Sequence, residues 1–180
     1  MFFSCIFSGF GGQGIMLIGD ILAHTAMREG YFVTYFPSYG VEMRGGNANC
    51  TVIISSQQIG SPITGTPMAV IAMNKISVEK YQPLIKPNGL LMINTNFVEK
   101  SLITRKDIET IMIPASDMAA EVATDKIANM IMLGAFIAKT KVVNFEKMIS
   151  HLGEIFPEKY KNTIPSNIAA LEKGYKFLES

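Results

Sequence analysis

The chain has 180 residues, a formal net charge of +1 and two cysteines. The near-zero charge removes the electrostatic case for binding nucleic acid or an anionic membrane surface. Two cysteines are too few for an iron–sulfur cluster, which takes four thiolates, and they are typical of a reducing cytoplasm. No apolar run is long enough to span a bilayer. We therefore expect a single cytoplasmic α/β domain over residues 1–180, with no membrane segment and no nucleic-acid partner.

Strand and helix patterns alternate along the chain. Residues 2–8 read as an uncharged strand, residues 9–14 as a glycine loop, residues 15–29 as an amphipathic helix, and residues 31–36 as a second strand that ends at Pro37. This βαβ unit implies parallel strands. Further strands are predicted at 50–55, 68–73, 89–94 and 111–114, and helices at 75–85, 115–126, 127–139, 145–156 and 166–178. The order predicts an open, mostly parallel, Rossmann-like sheet with helices on both faces and a helical C-terminal region.

Charged side chains are scarce and unevenly placed. They make up 17% of the chain, against about 25% in ordinary soluble domains. Residues 45–74 contain none of them. Because a solvated surface needs charge for solubility, we expect a partner chain to cover part of this segment. The alternative is that the segment belongs to an unusually large core of the domain itself.

The glycine loop, Gly9-Phe10-Gly11-Gly12-Gln13-Gly14, matches the G-x-G-x-x-G pattern between a strand and a helix. Such glycines let the backbone approach a ligand, and the helix N-terminus attracts an anion. A dinucleotide site also needs an acidic residue near the end of the second strand. That strand ends Thr34-Tyr35-Phe36-Pro37, without an acid. The loop therefore predicts an anion or partner contact, with tight strand–helix packing and a free-standing nucleotide-binding module as alternatives.

A second unusual segment, residues 37–50, places Arg44 in a glycine-rich loop beyond a strand end. Its guanidinium suits a carboxylate or phosphate, although an ion pair with Glu42 is an equal alternative. Sheets of this class place their sites beyond strand ends. The predicted cofactor-binding or subunit-contact residues of the two segments are Gly9, Gly11, Gly12, Gln13, Gly14, Tyr39, Gly40, Glu42, Arg44, Gly45, Gly46 and Asn47. We predict no catalytic residue and no metal ligand, and we assign His24 and His151 structural roles.

Four segments resemble, in the same order, landmarks of the gamma subunit of 2-oxoacid:ferredoxin oxidoreductases. They are Gly9-Phe-Gly-Gly-Gln-Gly14, Pro37-Ser-Tyr-Gly-Val-Glu-Met-Arg-Gly-Gly46, Ala48-Asn-Cys50 and Ile59-Gly-Ser-Pro62. Within this family, the run from Tyr39 to Gly46 is more similar to the 2-oxoglutarate and 2-oxoisovalerate members than to the pyruvate members.

The resemblance implies a multi-subunit enzyme that oxidatively decarboxylates a 2-oxoacid, forms an acyl-CoA and passes electrons to ferredoxin, with 2-oxoglutarate synthase the nearest type. It implies thiamin-binding alpha and beta subunits and a ferredoxin-like iron–sulfur subunit as partners. The complex is expected to use thiamin diphosphate, Mg, iron–sulfur clusters and CoA, none of them bound by this chain alone. Because Gly19-Asp20 is followed by Ile21, this chain lacks a Gly-Asp-Gly thiamin motif. The resemblance implies that it packs against the thiamin-binding subunits and helps to frame the substrate or CoA end of the active site.

Overall fold

A computed structural model describes residues 1–39 and 46–179, which fold around one mixed sheet of six strands. The strands are β1 (Phe2–Phe10), β2 (Phe32–Tyr39), β3 (Asn47–Ser55), β4 (Ala69–Ala72), β5 (Leu90–Asn94) and β6 (Glu109–Ile113). Their spatial order is β2-β3-β1-β4-β5-β6. Only β3 runs antiparallel to its neighbours. The predicted α/β fold with an open, mostly parallel sheet is confirmed.

The helices cover the two faces of the sheet unequally. They are α1 (Ile15–Arg28), α2 (Lys75–Tyr81), α3 (Ala115–Ala120), α4 (Ala128–Thr140), α5 (Phe145–Ile155) and α6 (Ile164–Glu179). Five of them share one core with strand residues such as Cys5 and Phe7. Of the helices in the described residues, only α2 packs on the opposite face, against Ile6 and Val70. That second face therefore has no helix over β2 and β3.

The predicted βαβ unit is present, but its two strands are not neighbours. β3 lies between β1 and β2, so that Phe7 pairs with Cys50 and Cys50 pairs with Pro37. The connecting helix α1 makes β1 and β2 point in the same direction, as the pattern predicts. The next strand along the chain then folds back as a hairpin on β2 and fills the space between them. The strand–helix–strand pattern indicates that β1 and β2 are parallel, but it does not indicate that another strand lies between them.

Strand β2 continues through Pro37 to Tyr39, whereas the sequence predicts that the proline ends it. β2 is an edge strand, and an edge tolerates proline because a missing N–H on the solvent side removes no ladder hydrogen bond. β1 and β3 are also longer than predicted, because Gly9 and Phe10 pair with Ala48 and Asn47. Gly9 thus belongs to β1 and not to the loop.

The uncharged segment 45–74 is described from residue 46 onward. It consists of two strands and the loop that connects them. Strands β3 and β4 within it are largely buried in the domain core, as the alternative reading predicts. Most of residues 56–66, between them, are exposed and carry no charge. Burial in the core explains why the two strands carry no charge, but it does not explain why the exposed loop carries none.

Helices α4 and α6 touch backbone to backbone through two glycines. A Cβ atom at Gly134 would overlap the carbonyl oxygen of Leu171, and one at Gly174 would overlap the carbonyl oxygen of Ile131. Around this contact α4 is almost completely buried. The close approach therefore depends on both positions lacking a side chain.

The two ends of the described chain meet at the edge of the sheet where the parallel strands begin. Met1 and Tyr175 line the same cleft, together with Lys141. The Lys141 Nζ atom lies 3.1 Å from Glu179 Oε1 and 2.6 Å from the Tyr175 hydroxyl. Both ends therefore emerge opposite the glycine loop, which follows the far end of β1.

Cys5 and Cys50 are buried free thiols, as predicted. Burial raises the pKa of Cys50 to about 12 and also raises the pKa of Cys5. Both thiols therefore stay protonated at neutral pH and are poor nucleophiles and poor metal ligands.

Candidate functional site at the carboxyl edge of the sheet

The fold brings the glycine loop and the end of the β2–β3 hairpin together. Phe10 at the end of β1 pairs with Asn47 at the start of β3. The Gly11 backbone N–H donates a hydrogen bond of 2.9 Å to the Gly46 carbonyl oxygen. Tyr39 at the end of β2 pairs with Ala48. The glycine loop and the described flanks of residues 40–45, Tyr39 and Gly46, therefore lie at one rim, the edge where the parallel strands end.

The glycine loop has a fixed conformation that needs glycine at two positions. Gly12 has φ 98° and Gly14 has φ 70°, values that L side chains rarely adopt. The Gln13 side chain holds the loop closed, because its Oε1 accepts a hydrogen bond of 2.7 Å from the Phe10 N–H. A Cβ at Gly9 would come within 2.6 Å of that same Oε1 atom. Gly9 therefore makes room for the Gln13 side chain rather than facing solvent.

Helix α1 begins directly after the loop, with Gly14 at its N-cap position. Within residues 1–39 and 46–179 no side chain caps this end, and the first turn of α1 contains no acidic residue. The Asn129 Nδ2 atom on α4 donates a hydrogen bond of 3.1 Å to the Gly14 carbonyl oxygen. This contact ties the loop to the helical layer, and no sequence signal identifies Asn129 as its partner.

Two clefts flank the glycine loop, and Gly12 lines both. One cleft, of about 370 Å³, lies between the loop, the first turn of α1 and Tyr39, and its lining is mainly apolar. The other, of about 170 Å³, lies between Gln13, the end of β4 and Asn129. A cleft of about 440 Å³ at the opposite edge is larger, but ligands of such sheets bind beyond the carboxyl ends of the strands. We therefore place the candidate site at the glycine loop.

The end of β5 forms a further wall of this edge. Asn94 is completely buried, and its Oδ1 accepts hydrogen bonds of 3.2 Å from the N–H groups of Asn96 and Ala115. Its Nδ2 donates to Ser116 Oγ at 3.0 Å. The Asn96 Oδ1 in turn accepts from the Ser116 N–H at 2.9 Å. These two asparagines cap α3, whose own N-cap residue makes no side-chain hydrogen bond.

The predicted contact residues fall into three groups. Those at the rim or in the loop are Gly11, Gly12, Gln13, Gly14, Tyr39, Gly46 and Asn47, whereas Gly9 is buried inside β1. Gly40, Glu42, Arg44 and Gly45 lie outside the described residues, so the ion pair between Glu42 and Arg44 stays a prediction. Tyr39 is 67% exposed. This places an aromatic side chain at the mouth of the larger cleft beside the loop.

The described residues do not fit an iron–sulfur cluster or a metal ion. The whole chain has two cysteines, both buried, and a cluster takes four thiolates. Residues 1–39 and 46–179 contain no group of three or more His, Cys, Asp or Glu side chains arranged for a metal ion. His24 Nε2 lies 3.6 Å from Asp20 Oδ1 as an exposed pair on α1. Within the same residues, no helix has both the length and the apolar character to cross a membrane.

A match to known proteins places the chain in a family. The family model described as pyruvate ferredoxin/flavodoxin oxidoreductase matches residues 4–177. The chain belongs to this family. The sequence-based recognition of an oxidoreductase gamma subunit is thereby confirmed. Among family members, the 2-oxoglutarate synthase subunit KorC of Methanocaldococcus jannaschii is 32% identical over 171 residues, which are 94% of this chain and 90% of that protein.

Two further members of this oxidoreductase family show how its chains are organised. The ketoisovalerate oxidoreductase subunit VorA of Methanothermobacter marburgensis is 35% identical over 131 residues, which are 73% of this chain. The match spans only 27% of that protein, about a quarter of its length. The keto/oxoacid ferredoxin oxidoreductase gamma subunit of Geobacter sulfurreducens superposes with a TM-score of 0.82 and 29% identity, covering 99% of both chains. The same unit therefore matches whole subunits in some relatives and part of a longer chain in others.

Proposed function

We propose that this chain is the gamma subunit of a 2-oxoglutarate synthase: a complex that converts 2-oxoglutarate and CoA to an acyl-CoA and passes the electrons to ferredoxin. The chain packs against the thiamin-binding subunits and supplies no catalytic group. Its rim, formed by the glycine loop and the β2–β3 hairpin, faces the substrate or CoA end of the active site. The observation that carries this proposal is the hydrogen bond from Gly11 to Gly46, which joins the two family segments into one surface.

The choice of 2-oxoglutarate rests on sequence and chain organisation together. The run from Tyr39 to Gly46 resembles the 2-oxoglutarate and branched-chain members of the family. Of the relatives described, the KorC subunit matches over nearly its whole length, whereas the VorA subunit is about four times longer than the matched segment. Thiamin diphosphate, Mg and the iron–sulfur clusters lie on the alpha, beta and ferredoxin-like partner chains, since this chain lacks the residues to hold them.

The alternative of a free-standing nucleotide-binding module has less support. In a dinucleotide site, the strand that follows the first helix lies beside the first strand and ends in an acid. Here β3 separates β1 from β2, which moves the end of β2 roughly 10 Å from the loop, two strand spacings. No residue of β2 is acidic. Among the described residues, both features argue against a ribose contact at the end of β2.

The proposal is tested by producing the chain together with the alpha, beta and iron–sulfur subunits of the same organism. An affinity tag on this chain should recover the complete complex. The complex should reduce an artificial electron acceptor only when a 2-oxoacid and CoA are both present. We expect kcat/KM for 2-oxoglutarate to exceed the values for pyruvate and 2-oxoisovalerate by about tenfold or more, a difference of about 1.4 kcal/mol. A preference for pyruvate would contradict the assigned type, and an inactive complete complex would contradict the function.

Arg44 gives a residue-level prediction for the assembled enzyme. Its surroundings lie outside the described residues, but its flanks Tyr39 and Gly46 stand at the rim. Since a guanidinium stays charged and needs an anionic partner, Arg44→Ala should lower complex yield or kcat/KM by about tenfold. Arg44→Lys should restore only part of the loss, because an ammonium cannot bind a carboxylate with two parallel hydrogen bonds. Wild-type assembly and turnover in the alanine variant would remove Arg44 from the site.

A further inference from the structure

One face of the sheet has no helix over its outer strands, and we call this region the open face. It is the side of β1, β3 and β2 that points away from α1, and its exposed aromatic residues are Phe2, Phe32 and Phe36. Phe2 and Phe32 both align with Ser55 across the sheet. Phe36 aligns with Thr51 two rows further along. The three rings thus stand on one side of neighbouring strands, around the buried Ile53.

The exposure of these rings is high for a strand of a folded domain. Phe2 is 58% exposed, Phe32 is 49% exposed and Phe36 is 43% exposed. The opposite side of the same strands is covered, because Val33 and Tyr35 pack against the core beneath α1. Large apolar side chains that are exposed together on one surface mark a site of protein association.

The strands of the open face carry no charge, and Lys86 lines the cleft beside Phe2 and Ser4 at its margin. No residue of β1, β2 or β3 is charged, and neither is any residue in 56–74. Edge strands normally carry charged side chains that keep other chains away, and β2 carries only Pro37 as such a device. A charged group of the partner placed over these strands would find no ion-pair partner in them and would lose its hydration. The chemistry of the face therefore selects an uncharged partner surface.

Thr34 adds a polar feature at the centre of the open face. It aligns with Ile53, in the row between Phe32 and Phe36. Its Oγ1 atom is buried and has no hydrogen-bond partner among residues 1–39 and 46–179. A buried hydroxyl without a partner costs about 1 to 3 kcal/mol. The isolated domain therefore carries an unfavourable group at the place where the aromatic side chains are exposed.

The family supplies the identity of the occupant. In the VorA relative, 131 residues of this unit match about a quarter of a longer polypeptide, so there the matched part is joined to the rest of that subunit. In a family member that is a separate chain, a non-covalent interface must replace that covalent connection to the neighbouring part of the enzyme. Interface cores are depleted of charge and enriched in aromatic residues, as the open face is.

We propose that the open face, centred on Phe32, Thr34 and Phe36, is the surface through which this chain docks onto the larger, thiamin-binding chain of its oxidoreductase. This inference rests on the proposed function. The partner contributes an uncharged apolar surface that packs on the exposed Phe32 and Phe36 rings. Docking here leaves the glycine-loop rim, at the ends of β1 and β2, free to face the active site.

The test uses the complex produced from all its chains, with the tag on this chain. Phe36→Lys should reduce the recovered thiamin-binding chain by about tenfold or more, the effect expected when an interface anchor is lost. Tyr160→Lys is the matched control, since Tyr160 is an aromatic side chain with 49% exposure outside the sheet. It should leave recovery unchanged. Equal recovery with Phe36→Lys and with wild type would overturn the proposal.

Phe32→Ala separates docking from folding. Phe32 is 49% exposed, so its truncation should change the unfolding temperature of the isolated chain by little. Recovery of the thiamin-binding chain should nevertheless fall about tenfold, because an aromatic anchor of the interface is lost. Unchanged recovery with Phe32→Ala would overturn the proposal if Phe36→Lys also lowers the unfolding temperature of the isolated chain.

Two other outcomes identify a different failure. If the wild-type chain recovers no partner, the proposed function fails and the docking surface fails with it. If wild type assembles, the isolated chain sediments as a dimer, and Phe36→Lys makes it a monomer without weakening the complex, the occupant is a second copy of this chain. The docking proposal is then overturned while the proposed function stands.

Discussion

Replacing Gly174 with alanine is expected to lower the free energy of unfolding by about 3 kcal/mol, a large effect for one methyl group. The new Cβ would overlap the Ile131 carbonyl oxygen, which belongs to the backbone of α4 and cannot rotate away. Helices α4 and α6 must then separate along a contact that α4 buries on nearly all sides. Thermal unfolding should shift down by roughly 6 to 12 °C for a domain of this size.

The control for this substitution is Gly153→Ala in α5. A Cβ at Gly153 meets nothing within 4 Å, and the residue is exposed in a helix, where alanine is favoured by about 1 kcal/mol. Gly134→Ala should resemble Gly174→Ala. The double variant at Gly134 and Gly174 should cost less than the sum, since the first substitution already separates the helices. Equal unfolding temperatures for the Gly153 and Gly174 variants would show that the helices do not touch through their backbones.

Replacing Asn94 with leucine is expected to cost about 2 to 3 kcal/mol, although leucine has a similar size and the site is completely buried. The loss comes from the Ala115 N–H, which is buried and would have no acceptor, and from the Ser116 hydroxyl, which would lose its donor. Denaturant unfolding should show a lower midpoint with little change in slope.

Asn96→Ala is the matched comparison, because Asn96 caps the same helix from an exposed position. It should cost about 1 kcal/mol, the usual value for an exposed cap. A leucine variant at Asn94 as stable as the alanine variant at Asn96 would mean that the β5–α3 connection does not depend on the buried amide. Other contacts would then have to hold the β5–α3 connection in place beside the smaller cleft.

The sequence predicts the positions of most strands and helices, because their periods and their glycine or proline boundaries are local. Neighbour relations in the sheet are not local. The glycine-rich connection between β2 and β3 predicts a loop, but it does not indicate that β3 inserts between β1 and β2 and so moves the end of β2 away from the glycine loop. Pro37 misleads for a related reason, because its effect depends on whether the strand is central or at an edge.

The candidate site was predictable where the chemistry lies in the backbone. Glycines in the loop were identified from their pattern, and Gly12 and Gly14 do have positive φ. The contact that ties the loop to α4 was not predictable, because the Asn129 Nδ2 bond to Gly14 joins residues 115 positions apart. Gly9 was assigned to the loop because strand ends are ambiguous where glycine and aromatic residues alternate.

The two ends of the described chain meet near Met1 and Tyr175, an arrangement that suits fusion to another polypeptide. A unit whose ends emerge side by side can be appended to another polypeptide, or inserted into one, without stretching its sheet. Since those ends lie opposite the glycine loop, such a fusion leaves the rim unobstructed. One architecture can therefore serve as a separate subunit, as in the Geobacter sulfurreducens gamma subunit, and as roughly a quarter of the VorA chain.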